Sequence, residues 1–213
     1  SNEGAKMGGL TPTQAVTDFV HTQGGKAAKL ESGKVDLMGG IFAAASLYTG
    51  SFGSTNIWTQ TATVNFGQSF TARPIALKGF YKYTSNVINL VKNVPAGVTI
   101  VKDQTLDQCA IYIALAKKTY TIDNGNQSTF IDFKNDENII AYGELPSGAA
   151  TEGDGYVEFN IPLKYKNLTD QPTHIIVVCS SSKYGDYMTG GAGSTLYVDD
   201  LSLIYDGTPT IWE

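Results

Sequence analysis

Apolar and polar residues in this chain alternate in the two-residue phase of β-strands far more often than they recur at helical spacing. Residues 74–83 set the pattern. Ile75, Leu77, Gly79, Tyr81 and Tyr83 fall in one phase, and Ala76, Lys78, Phe80 and Lys82 in the other, which predicts a strand with one apolar face. Residues 156–165 repeat it, with Val157, Phe159, Ile161, Leu163 and Tyr165 opposed to Glu158, Asn160 and Lys164. Residues 109–116, 139–145 and 195–205 read as further strands. Residues 174–179 form a continuous apolar run, the mark of a strand buried on both faces. Between these runs stand turn pairs: Asn124-Gly125, Ser147-Gly148, Asp154-Gly155 and Gly190-Gly191. The one helical candidate is residues 10–19, where Thr11-Pro12-Thr13 can open a short helix and Ala15, Val16 and Phe19 share a face. Overlapping the same stretch, Ala15 to Val20 also reads as a strand. Residues 33–70 are rich in Gly, Ala and Ser, but too long for a structureless loop, so short strands are expected there. No fixed repeat and no linker-like break divides the chain. The pattern predicts a single all-β domain over residues 1–213, a sandwich or barrel with little helix, in which residues 1–23 are an N-terminal extension or first edge strand.

Composition narrows the class. The chain has 213 residues, 42% of them hydrophobic and only 16% charged, enough to build a sizeable core. Its net charge is −5, with 15 Lys and Arg scattered singly. A nucleic-acid partner, which calls for a basic stripe, is therefore not expected. Nor is a transmembrane segment, since no apolar run reaches about 18 residues. The chain begins at Ser1 without a signal peptide, and reads as a processed product or a piece of something longer. Cys109 and Cys179 both lie in apolar strand-like runs and are expected to be buried free thiols behaving as small hydrophobes, although a disulfide between them is left open.

Sequence signatures of catalysis are absent: no Gly-x-Ser-x-Gly elbow, no His-Glu-x-x-His and no phosphate-binding glycine loop. Glycoside hydrolysis needs only two carboxylates beside a cleft, so Glu144, Asp154, Glu158, Asp186, Asp199 and Asp200 remain candidates. Asp199 and Asp200 interrupt a strand pattern. Adjacent strand residues point to opposite faces, so one carboxylate must meet the core side or a sheet edge and find partners there. A structural Ca²⁺ is one such partner, with Glu31 a third candidate ligand. Hydrogen bonding or solvent is the ordinary alternative.

Aromatic clusters are the sharpest feature. Phe80-Tyr81-Lys82-Tyr83 ends one strand, Lys183-Tyr184-Gly185-Asp186-Tyr187 follows the most apolar strand, and Trp58 stands in the Gly-rich stretch. A sugar ring has an apolar C–H face, which Tyr and Trp rings match, and a rim of hydroxyls, which Asp, Lys and Ser match. Core packing is the competing role, above all for Tyr81 and Tyr83, which share a phase with Ile75 and Leu77.

Four segments carry a family resemblance: residues 76–83 (ALKGFYKY), 141–145 (AYGEL), 180–187 (SSSKYGDY) and 193–201 (GSTLYVDDL). With these in this order, the chain resembles the family called putative carbohydrate metabolism domain, found on secreted and surface lipoproteins of gut-type Gram-negative bacteria. The likeness covers roughly Gly24 to Tyr205. It implies a jelly-roll β-sandwich of two antiparallel sheets, similar to carbohydrate-binding modules, following other domains of a surface protein. It carries over no catalytic residues. Motif positions implied near a site are Lys78, Tyr81, Tyr83, Lys183, Tyr184, Asp186 and Tyr187.

The expectation is a non-catalytic module that binds an oligo- or polysaccharide at the extracellular or outer-membrane surface, with Trp58 joining those seven residues as ligand-binding candidates. No cofactor is required, apart from the candidate calcium site at Glu31, Asp199 and Asp200. A glycoside hydrolase and a structural or protein-interaction domain are the alternatives.

Overall fold

A computed structural model of the chain describes residues 9–36, 40–56 and 58–212. Among these residues helix is limited to 3₁₀ turns at Gln127–Thr129 and Gly185–Tyr187. The strands are β1 (Thr13–Val16), β2 (Ala27–Glu31), β3 (Gly33–Val35), β4 (Ile41–Ala43), β5 (Ser46–Tyr48) and β6 (Gly50–Asn56). They continue with β7 (Thr61–Phe66), β8 (Gln68–Ser69), β9 (Ala76–Thr84), β10 (Ala110–Ala116), β11 (Tyr120–Asp123) and β12 (Ile139–Glu144). The last are β13 (Val157–Pro162), β14 (Lys164–Tyr165), β15 (His174–Ser180), β16 (Thr195–Ile204) and β17 (Thr210–Ile211). Of the residues near the N-terminus that read as either helix or strand, Thr13–Val16 form a strand, β1, paired antiparallel with β2, and residues 17–20 do not. The short strands expected in residues 33–70 are β3 to β8.

Two sheets face each other. The first has the order β1-β2-β16-β9-β13; the second runs β17-β14-β12-β10-β15-β5, with β8 also on β15. The chain passes from one to the other between β9 and β10, β12 and β13, β13 and β14, and β15 and β16, the alternation of a jelly roll. Pairing is antiparallel except for β14 with β17, which is parallel. Between the sheets lies the main core, where Leu77 and Tyr83 of β9 and Leu196 of β16 meet Ile111, Ile113 and Leu115 of β10. A third sheet, β11-β7-β6, was not foreseen. It covers part of the second sheet's outer face and forms a second core, in which Phe66 and Ile122 meet Ala114, Ile176 and Val178. Strand β15 therefore sends Ile175 and Cys179 into one core and Ile176 and Val178 into the other, which is why residues 174–179 carry no polar alternation. Both cysteines are free and buried.

Two irregularities shape the sandwich. The run 156–165 reads as one strand but breaks at the fully buried Leu163, where the chain leaves β9 and crosses to β12. Gly143 makes room for this corner: a Cβ there would sit 2.4 Å from the Pro162 carbonyl oxygen. In β16 a bulge lies between Asp199 and Ser202, because Asp199 pairs with Phe80 and Ser202 with Lys78. The one extra residue reverses the phase, so that Leu196 and Val198 point inward before it and Leu203 after it.

Candidate functional site

The site grows out of the second sheet's outer face. In β10, Ile111, Ile113 and Leu115 point into the main core, so Ala110, Tyr112 and Ala114 point away from it. Cross-strand register places Tyr112 opposite Glu144 on β12 and Val178 on β15, and Val178 opposite Tyr48 on β5. The next row is small and polar, with Ala110 opposite Ser180 and Ser180 opposite Ser46. Val64 and Phe66 of β7 overhang this floor, and the Phe66 ring meets the Tyr48 ring edge to face at 5.3 Å. The loop after β15 then turns back over it. Gly185 lies so close to β4 and β5 that a Cβ would be 2.5 Å from Ala44 Cβ. Together these residues enclose a cleft of about 80 Å³, with Tyr48, Phe66 and Tyr112 as its aromatic lining and Lys183, Ser182 and Asp186 at its polar side. That is room for about five waters.

The two charged groups of the cleft are not used by the fold. Among the described residues, neither the Lys183 ammonium nor the Asp186 carboxylate has an ion-pair or hydrogen-bond partner. Asp186 is open to solvent at its own surface, yet the protein mass around it desolvates the carboxyl and pushes its pKa up. The Tyr112 phenol is held well above its ordinary value, first by burial and then by the nearby Asp186 charge. Beside the cleft, the Tyr187 ring meets the Phe130 ring edge to face at 5.0 Å, and Asn124 Nδ2 donates to Met188 Sδ at 2.9 Å.

Of the residues singled out from sequence, the structure brings Lys183 and Asp186 into the cleft, with Tyr184 and Tyr187 half-buried on the same loop. The others lie elsewhere. Tyr83 is 0% exposed and its hydroxyl donates to the Ser181 carbonyl at 2.9 Å; a ring with no free face cannot stack on a ligand, so Tyr83 is a core residue. Tyr81 packs against the same core, edge-on to Phe159 at 5.8 Å. Lys78 is on the outer face of the first sheet, paired with Glu158 at 2.5 Å. Trp58 is 79% exposed in the turn between β6 and β7, at the opposite end of β7 from Phe66.

Nor are the three proposed calcium ligands gathered into one site. Glu31 pairs with Lys29 at 2.5 Å and lies opposite Thr195 in the register, four residues along β16 from Asp199, on the order of 13 Å. Asp199 Oδ2 accepts the His21 amide at 2.7 Å. Asp200 accepts the Thr22 hydroxyl at 2.6 Å and lies 2.7 Å from His21 Nδ1, and these contacts lower its pKa. Among the described residues, no three His, Cys, Asp or Glu side chains form a metal-binding group. Alternation with the inward Leu196 and Val198 puts Asp199 on the outer face, the bulge that follows breaks the phase that would turn Asp200 inward, and the segment around His21 folds over the pair, with the His21 ring stacked on Phe80 at 3.5 Å.

Sequence reasoning missed Tyr48, Phe66 and Tyr112. For Tyr112 a signal exists: it stands out of phase with Ile111, Ile113 and Leu115, between the small Ala110 and Ala114, so its ring has room on the opposite face. Tyr48 and Phe66 depend on how β5 and β7 pair, which no local pattern encodes.

Comparison with known proteins bears on the family and the fold. The family model described as "Putative carbohydrate metabolism domain" matches residues 1–204. No curated protein matches the chain at a significant level. A crystal structure titled as a putative glycoside hydrolase from Bacteroides thetaiotaomicron is 24% identical, with a TM-score of 0.71, over 97% of this chain and 62% of that one. The chain thus spans less than two thirds of that relative's length. A second, titled likewise and from Bacteroides vulgatus, is 24% identical with a TM-score of 0.66, over 95% of this chain and 83% of that one. At such identity these structures speak for the fold.

Proposed function

We propose, for a chain that belongs to the putative carbohydrate metabolism domain family, that the cleft on the second sheet is a glycan-binding site and the domain a non-catalytic binding module of a secreted or surface-anchored bacterial protein. The observation that carries this reading is the pair of unpartnered charges, Lys183 and Asp186, at a cleft lined by Tyr48, Phe66 and Tyr112. Both side chains are exposed at the cleft and free to take a ligand. Sugar hydroxyls offer donors to Asp186 and acceptors to Lys183, while the C–H face of a sugar ring packs on the aromatic lining. A single small site of this kind binds in the micromolar to millimolar range, roughly 4–8 kcal/mol. The test is retention of the purified domain on immobilised neutral and acidic polysaccharides. Saturable retention on one class, lost in Lys183→Ala and Asp186→Ala proteins, supports the reading. A blank panel from folded protein overturns it.

One observation favours a hydrolase as the second reading. Glu144 lies directly across from Tyr112 in the register, one strand from the cleft, and the Asp186 charge acts on the Tyr112 phenol, so two carboxylates stand near one another on this face. A pair of carboxylates beside one cleft is what glycoside hydrolysis uses. Release of reducing sugar from a retained polysaccharide, abolished by Asp186→Asn, would establish it; retention without release would leave the binding module.

A further inference from the structure

The loop that carries Lys183, Tyr184, Asp186 and Tyr187 has both its stems tied to a single atom. Asp107 Oδ2 accepts the Ser182 hydroxyl at 2.5 Å and the Gly191 amide at 2.8 Å. Its other oxygen accepts the Gln108 amide at 2.8 Å. Ser182 Oγ continues to Ser32 Oγ at 2.8 Å, and Ser32 to Ser181 Oγ at 2.6 Å, so the tie is anchored beneath the loop, between the sheets. Between its stems the loop is irregular. It makes one 3₁₀ turn and then places Met188 in the left-handed region at φ 57°, a conformation that a non-glycine side chain keeps only when its surroundings impose it. Other long-range ties hold it as well: the Lys183 amide donates to the Gln108 carbonyl at 2.6 Å, the Tyr187 carbonyl accepts the Asn93 amide at 3.2 Å, Asn124 Nδ2 donates to Met188 Sδ, and Thr189 Oγ1 accepts the Lys92 amide and donates to the Asn93 carbonyl, but Asp107 alone joins the two stems through one side-chain atom.

Asp107 is 1% exposed, and no cation is among its hydrogen-bond partners. The titratable groups that face it are Tyr83 from β9 and Cys109 from its own segment. Burial pushes the Asp107 carboxyl up despite its donors. A folded-state pKa above the unfolded value means that the charge costs stability at neutral pH. A group that costs stability yet gathers two chain segments on one oxygen is not explained by packing alone.

We propose that Asp107 is the positioning residue of the cleft: by holding Ser182 and Gly191 together it sets where Lys183 and Asp186 stand, and so tunes glycan binding without touching the glycan. Its consequence for binding rests on the glycan-binding reading; its structural part does not.

The experiment compares the parent with Asp107→Ala, which removes both acceptors, and Asp107→Asn, which keeps one oxygen of similar shape. Amide hydrogen exchange is followed for residues 183–191 and, as an internal control, for β10 and β15. The expected result is about tenfold loss of protection across 183–191 in the Ala protein, from two donors left unpaired. Protection is unchanged in the two strands and largely restored in the Asn protein. Retention on the immobilised polysaccharides should fall and recover in the same order. Unchanged protection of 183–191 in the Ala protein would overturn the proposal, as would equal losses in the loop and the strands. If the Ala protein does not fold, the parent alone decides by NMR. The Gly191 amide proton must then shift as Asp107 is protonated, at a higher pH than for an unperturbed aspartate, and a static Gly191 signal refutes the tie. A blank polysaccharide panel with the exchange result intact removes the glycan reading and leaves the positioning role of Asp107 standing.

Discussion

At the scale of single residues, Asp186 and the two cysteines show how desolvation by surrounding protein bears on chemistry. The Asp186 carboxyl is pushed up by desolvation alone. To accept sugar hydroxyls it must be ionised, so binding belongs to the pH range above its raised pKa and is lost as pH falls through it. Retention on a neutral polysaccharide, followed against pH, should therefore decline at a higher pH than an ordinary carboxylate would dictate, and the Asp186→Asn protein should show no such decline. Cys109 and Cys179 are both pushed up to about 12 by burial. Since the thiolate is the reactive form, iodoacetamide should leave both unlabelled in the native protein and label both after denaturation. Labelling of either in the native state would contradict the packing described. Nothing at residue scale in the sequence separated Lys183 and Asp186 from Lys78 and Tyr83. All four stand in aromatic-rich motifs, and only the register shows that Lys78 has a carboxylate partner and Tyr83 no free face.

At the scale of elements, the strands with clean alternation were legible, and the places where they change sheet were not. The run 156–165 keeps its phase straight through Leu163, because the chain turns the corner without losing the side-chain alternation; the sign of the corner is on the partner strand, at Gly143. Replacing Gly143 by Ala pushes a methyl group into the Pro162 carbonyl. The expected cost is about 1–3 kcal/mol, the usual penalty for overpacking, read as a lowered denaturation midpoint with an unchanged slope. A neutral substitution would mean that the corner is looser than described. The Asp199-Asp200 pair was legible as an anomaly, since two acidic residues interrupt a strand. In the structure a bulge lies there, and the two carboxylates accept hydrogen bonds from His21 and Thr22. The third sheet was hidden for a different reason. Strand β6 reads GSFGSTN, with too little hydrophobic contrast to reveal its phase, and its place is set by its pairing with β7.

For the molecule as a whole, the question is which face carries the site. Over the first sheet's outer face the N-terminal segment lays Phe19 against Tyr156 at 4.9 Å and His21 on Phe80 at 3.5 Å, while Lys78 is engaged with Glu158. The second sheet's outer face is covered by β6, β7 and β11 in part only, which leaves the cleft beside Lys183 and Asp186. The account therefore predicts that charges on the two faces differ in consequence. Removing Lys78 breaks a surface ion pair worth little and should leave binding as it was. Removing Lys183 or Asp186 should weaken it about tenfold each, the effect of losing one charged hydrogen bond to a ligand. The most direct measurement is isothermal titration of the parent, Lys78→Ala, Lys183→Ala and Asp186→Ala proteins with a soluble fragment of whichever polysaccharide retains the parent domain. The account predicts parent-like affinity for Lys78→Ala and about tenfold loss for each of the other two, all four proteins sharing one thermal midpoint. Parent-like affinity in both Lys183→Ala and Asp186→Ala, or a loss confined to Lys78→Ala, would place the glycan on another face and contradict the account.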